Sequence, residues 1–296
     1  MARKYQVRSV SLPASSHPSR IRVECELNNV RSLEAYSASS SGAVCASLAG
    51  LEELHCCLDS YLSVHSTQEI LLLACKDKSW VVELLDGSVK ILDACSTSRD
   101  SMLQVKGHVQ DLQSALRRRK GSSSASESVS RFKRLRKKMI KDARNMIATL
   151  KQVDHKLRVS VIEHLGNAED QCPCIISLLN DVAALDISIL ESLLSYLSVP
   201  SSDSKMTKWS SVISRLMNKK VAACKQETSN EFSNVDAAIF ELNTSKCSSS
   251  EAVQLVLERL AWLEARVERI EDCLESMFKC FIKSRVALLN IISTET

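Results

Sequence analysis

Along residues 251–292 apolar side chains recur at alternating steps of three and four. From Val253 the steps land on Val256, Leu260, Leu263, Val267, Ile270, Leu274, Met277, Phe281, Ser284, Leu288 and Ile291, a seven-residue repeat interrupted once, by Ser284. A helix with this period would be about 60 Å long at ~1.5 Å per residue, and its apolar seam must be covered. In the first half charged Glu264, Arg266 and Glu271 flank the seam, as in a two-stranded coiled coil. Past Ile270 the flanks turn apolar, with Cys273, Phe278, Cys280 and Ile282, a wider face than two strands need. The pattern predicts burial within the chain at that end, against the 77–119 block and the helix opened by Pro173. Any self-association is expected at the 251–268 end.

The 77–119 block repeats the same step through Val81, Leu84, Ser88, Ile91, Cys95, Ser98, Met102, Val105, Val109, Leu112 and Leu116. Gly87 and Gly107 lie within it, and each costs a helix about 1 kcal/mol against alanine, so a kink or break is expected near one of them. Two seams of similar length predict long antiparallel helices. Shorter stripes predict helices over 19–36 (Ile21, Leu27, Val30, Leu33) and 44–62 (Val44, Leu48, Leu51, His55, Leu58, Leu62). Helix is expected to resume from Val129 to about Val153, with 154–170 unassigned. Pro173 reads as the first-turn proline of a broadly apolar helix whose stripe Asp186 interrupts. Helices over 208–224 and 230–242 precede a polar turn in which Ser248 and Glu251 have capping-box spacing. The expected fold is all-α, an elongated multi-helix bundle with long antiparallel helices: a disordered N-terminal tail over 1–18, then a single helical-bundle domain over 19–292.

Composition supports helix: six glycines and four prolines are few for 296 residues, with no proline between Pro18 and Pro173. Twelve cysteines would suit a disulfide framework in a short secreted chain, but Met1 to Val10 is polar and basic, with no apolar signal-peptide core. A reducing compartment is the expectation, cytoplasmic with nuclear import as an alternative. The acid-poor tail lacks the amphipathic stripe of an organellar transit peptide, and the apolar run 70–75 is far short of the ~20 residues of a membrane span. A net charge of +4 carries no global electrostatic argument.

Local charge is more informative. Arg117, Arg118, Arg119 and Lys120 precede a serine-rich stretch, expected to be a basic loop over 117–130, and then come Arg131, Lys133, Arg134, Arg136, Lys137, Lys138 and Lys141. Two basic clusters at this separation fit a bipartite nuclear-import pattern, and the same charges could meet the phosphates of nucleic acid or of an anionic membrane. They could equally be a solvated face. Phe132 is the one interleaved aromatic, so base stacking is not supported. In the tail, Arg8, Ser9, Ser11 and Pro13 match the spacing of phosphoserine motifs bound by 14-3-3 proteins, with Ser11 as the phosphosite. An unmodified tail is the alternative.

No glycine-rich phosphate loop, His-Glu-x-x-His, Gly-x-Ser-x-Gly or paired-cysteine metal spacing occurs, so no cofactor, metal or catalytic residue is assigned. His55 is read as a satisfied core histidine. Asp186 is read as half of a structural salt bridge, because a buried carboxylate needs a partner.

Several stretches resemble a plant-specific family, domain of unknown function 241, described as BYPASS-like. They are Val7-Arg8-Ser9-Val10-Ser11-Leu12-Pro13 with His17-Pro18, Trp80 to Ser88 running on to Leu92-Asp93-Ala94-Cys95, and Leu112 to Arg119. Further matches are Leu190-Glu191-Ser192-Leu193-Leu194-Ser195, Trp209-Ser210 with Ser214-Arg215-Leu216-Met217, and Arg285 to Ile291. The resemblance implies a helical plant protein without assigned activity, associated with root and shoot development. Together these readings favour a non-enzymatic scaffold or regulator working through protein contacts, with a nuclear or anion-binding factor using 117–141 as the alternative and peripheral membrane association as a third.

Overall fold

The computed structural model describes residues 17–36, 40–75, 78–118, 122–167, 173–199, 230–244 and 250–293. They form eight α-helices: α1 (Pro18–Tyr36), α2 (Ser41–Leu62), α3 (His65–Ala74), α4 (Lys78–Arg117), α5 (Ser122–Asn167), α6 (Pro173–Leu197), α7 (Glu231–Thr244) and α8 (Ser250–Ser293). Among the described residues there is no strand. Residues 1–16, with the proposed 14-3-3 motif, lie outside the described residues, as do the expected helix over 208–224 and Ser248 of the expected capping box. Pro18 is the first residue of α1, where its missing N–H costs nothing.

The heptad seam of α8 is buried throughout, from Val256 to Ile291, Ser284 included. Each leucine or isoleucine so buried contributes about 1.5–3 kcal/mol relative to exposure. α4 covers one side and runs antiparallel to α8. Arg99 donates to Glu275 at 2.6 Å, Lys106 to Glu268 at 2.9 Å and Gln110 to Glu264 at 2.8 Å, so position falls along α8 as it rises along α4. The thiol of Cys95 points at the Leu274 carbonyl, 3.5 Å away, within the same seam. α2 covers the other side and runs parallel to α8, and α7 packs along it as well. The second neighbour expected from the sequence was α6. That place is taken by α2, because the broad apolar arc of α6 is used mainly by α5, and also by α4, α2 and α1. At the 251–268 end Val256, Leu260, Leu263 and Val267 are fully buried within the chain, so the seam has no free face there for a second copy.

Three departures from the sequence reading concern breaks and loops. α4 runs unbroken through Gly87 and Gly107. A Cβ at Gly87 would lie 3.1 Å from Val153 Cγ1 and 3.4 Å from Leu157 Cδ1, so this glycine admits the close approach of α5 and is no hinge. The serine-rich stretch read as a loop is the start of α5, which continues unbroken to Asn167, past the expected end near Val153. Its serines are held in helix because Val129 and Phe132 are buried beside them, while Ser130 Oγ returns to the Ser126 carbonyl at 2.9 Å. Finally, α3 is a short helix absent from the sequence reading; Trp80 Nε1 of α4 donates to its Ala74 carbonyl at 3.0 Å and ties down its C-terminal end. Apolar side chains from all eight helices join one continuous core.

Candidate functional site

Three polar residues that interrupt apolar stripes on three different helices meet inside the bundle. His55 of α2 lies on the stripe with Leu51 and Leu58, Asp186 on that of α6, and Ser284 on the α8 seam; they are 5%, 4% and 7% exposed. His55 Nε2 is 3.0 Å from Asp186 Oδ1 and Nδ1 is 2.9 Å from Ser284 Oγ. An ionised carboxylate only accepts, so Nε2 carries a proton and donates to Asp186. In the neutral ring Nδ1 then accepts from the Ser284 hydroxyl. Phe281 stands edge-on to the imidazole with centroids 5.1 Å apart. His55 is thereby a core histidine with both ring nitrogens satisfied, and Asp186 has a buried partner through a hydrogen bond in place of the expected salt bridge.

Serine, histidine and carboxylate also make up a hydrolytic triad, so space decides what this trio can do. The cavity beside it measures about 50 Å³ and is walled by Leu84, Ile91, Leu157, Leu179 and Leu288 among others. That is room for a few waters, well below the roughly 300–1,000 Å³ of ordinary ligand pockets. Arg285 at its rim is held by the Leu85 carbonyl and Ser88 Oγ. The geometry fastens α2, α6 and α8 together by directional bonds within an apolar core.

A second buried polar cluster centres on Arg136, which the sequence grouped with the surface cations. It is 1% exposed. Its Nη1 and Nη2 each donate at 3.0 Å, to the carbonyls of Leu197 and Val199 at the C-terminal end of α6. Nε approaches Asp236 Oδ2 of α7 at 3.4 Å, and the guanidinium lies 4.4 Å over the Phe232 ring. Burial pulls its pKa down and Asp236 opposes that. Around it, Asn230 caps α7 through the Phe232 N–H at 2.9 Å and donates to the Tyr196 carbonyl at 2.7 Å. Tyr196 donates to Glu231 at 2.9 Å. Arg136 is therefore a structural clamp joining α5, α6 and α7. Its phase foretold this, since Phe132, Met139 and Ala143 share its side of the helix.

The remaining cations divide differently. Arg119 and Lys120 lie outside the described residues. Arg117 and Arg118 are exposed at the end of α4, and Lys133 is half-buried. Arg131, Arg134, Lys137, Lys138 and Lys141 are exposed on the outer face of α5, and the same face continues through Arg144, Lys151, Lys156 and Arg158, which the sequence reading did not include. From Arg131 to Arg158 this ridge is about 40 Å long at ~1.5 Å per residue. Continuing the helical phase past Lys141 finds Arg144 and Lys151, whereas Lys156 and Arg158 fall in 154–170, which the sequence left unassigned.

Two further features lie along the α2–α8 contact. The Cys45 and Cys273 thiols interact across it: Cys45 and then Arg269 hold the Cys273 thiol below its usual range, while Cys45 is pushed well up. Towards the C-terminal end, an open groove of about 950 Å³ runs between α2, α3 and α8, with Leu62, Leu72 and Ile291 in its lining and the Lys283–Asp59 ion pair and the His65–Glu69 contact beside them. Among the described residues no cluster of side chains could hold a metal ion, and no helix is long and apolar enough to cross a membrane.

A sequence-family profile described as Protein BPS1 matches residues 47–291. The chain belongs to the BPS1 family. This agrees with the BYPASS-like resemblance, and BPS1 membership implies a regulator of plant development. No curated protein and no solved structure matches the chain.

Proposed function

We propose that this BPS1-family protein is a non-enzymatic scaffold that regulates root and shoot development through protein contacts, in the cytoplasm or after import into the nucleus. One observation carries the reading: the Ser284–His55–Asp186 trio spends its bonding on itself beside a cavity too small for a substrate, so the core acts as a frame. Ser284→Ala tests it. The variant should retain developmental function in a plant carrying no other copy, whereas a catalytic serine would be indispensable. Proximity labelling in plant cells should return a reproducible set of proteins, including a 14-3-3 protein that is lost on Ser11→Ala if the Arg8–Pro13 motif is used. A labelling profile indistinguishable from that of a free tag would remove the scaffold reading.

The cationic face of α5 favours a second reading, an anion-binding factor. Charge reversal at Arg134, Lys137 and Lys138 should then change location or anion binding, and binding should weaken steeply with salt. A protein–protein groove contact should respond little to salt.

A further inference from the structure

The outer face of α5 is unusual in both its charge and its end. Nine exposed cations, Arg131, Arg134, Lys137, Lys138, Lys141, Arg144, Lys151, Lys156 and Arg158, line it with no exposed acid between Glu127 and Glu163. Acid enters only at the edges. Asp142 and Asp154 are half-buried, with Asp154 pairing to Arg158 at 2.9 Å, and Glu83 and Asp86 of α4 share a shallow depression with Lys156. Arg134, Lys137, Lys138, Lys141 and Arg144 make no ion pair among the described residues. Between the flanking cations the crest carries uncharged Asn145, Ala148 and Gln152, and about two turns further the same crest presents Val159 and Ile162, 39% and 70% exposed.

We infer that this face of α5 is a docking surface for a bilayer rich in anionic lipid, on which the bundle lies with α5 along the headgroups and Val159 and Ile162 entering the acyl boundary. The inference rests on the anion-binding reading and names its partner. Three observations favour lipid over nucleic acid. The ridge runs about 40 Å along a single unbroken helix, a line of charge that suits a plane of headgroup phosphates better than a backbone winding around a duplex. It presents no aromatic for stacking, since Phe132 is fully buried. Its aliphatic end has no use against phosphates or base edges but is what an interfacial helix inserts, while long Lys and Arg stems let the charges stay in the headgroup layer.

The test uses the full chain and sedimentation with phosphatidylcholine vesicles with and without phosphatidylserine, alongside binding to random-sequence duplex DNA and to single-stranded RNA. Binding only to the phosphatidylserine vesicles is expected. Arg134→Gln, Lys137→Gln and Lys138→Gln together should weaken it about 100-fold, at about fivefold per charge. Val159→Asn with Ile162→Asn, both exposed and so without consequence for folding, should weaken vesicle binding about tenfold. No binding to the anionic vesicles, or vesicle binding indifferent to Val159 and Ile162, overturns the lipid assignment. If duplex DNA or RNA still binds through the cations in that case, the anion-binding reading survives; if nothing anionic binds, both fall.

Discussion

The two buried polar clusters solve the same problem in opposite ways. At one end of α6, Arg136 brings a full charge into the core and satisfies it with Asp236, two carbonyls left open by the helix terminus and the face of Phe232. Midway along the same helix, His55, Asp186 and Ser284 meet between continuous helices whose backbones need nothing from them. Arg136 replaces hydrogen bonds that the end of α6 would otherwise lack. The trio adds direction to a contact that apolar packing already favours. The difference teaches that a clamp at a helix end is tied to backbone satisfaction, whereas one in mid-bundle chiefly sets the register of three helices.

Breaking the first cluster should be the more damaging. Asp236→Ala leaves the Arg136 guanidinium buried without its counter-charge, and urea unfolding should show a loss of about 3–5 kcal/mol. His55→Leu leaves the Asp186 carboxylate and the Ser284 hydroxyl without their partner, but a carboxylate can take up a proton where a guanidinium cannot lose one, so the cost should be about 1–3 kcal/mol in the same assay. A larger loss for His55→Leu than for Asp236→Ala would reverse the ranking drawn between the clusters. Ser284→Ala removes one neutral hydrogen bond, for about 0.5–1.5 kcal/mol. Smaller still is Lys137→Glu, one residue from Arg136 but exposed, whose melting transition should move by no more than about 0.5 kcal/mol in equivalent free energy. A probe that leaves the fold intact sharpens the picture of the α2–α8 contact holding His55 and Ser284. The thiolate is the species that alkylates, so Cys273, held below the usual thiol range, should label at lower pH than Cys280, which burial pushes up to about 11. Equal rates at pH 7.5, followed by peptide mass spectrometry, would show that Cys45 does not stabilise the Cys273 thiolate.

Periodicity revealed most of the fold because long helices buried on one side must repeat their apolar positions. The α8 and α4 seams were legible for that reason, and the start of α6 from Pro173, whose missing N–H suits a first turn. The start of α5 was not: serines compete for backbone hydrogen bonds and read as loop, and only their neighbours Val129 and Phe132 decide otherwise. His55, Asp186 and Ser284 were each visible as an interruption, yet pairing them requires the spatial order of helices separated by 131 and 229 residues, which no local pattern encodes. Arg136 was lost to counting charge without phase. The same habit stopped the basic segment at Lys141, although its face runs on to Arg158.

The parallel pairing of α2 with α8 has a consequence for biogenesis. After His55 leaves the peptidyl-transferase centre, 229 further residues must be added before Ser284 exists, roughly 10–50 s at about 5–20 residues per second. Through that interval the faces of α2 and α4 destined for α8 have no permanent cover, so the nascent chain is a natural client for ribosome-associated chaperones.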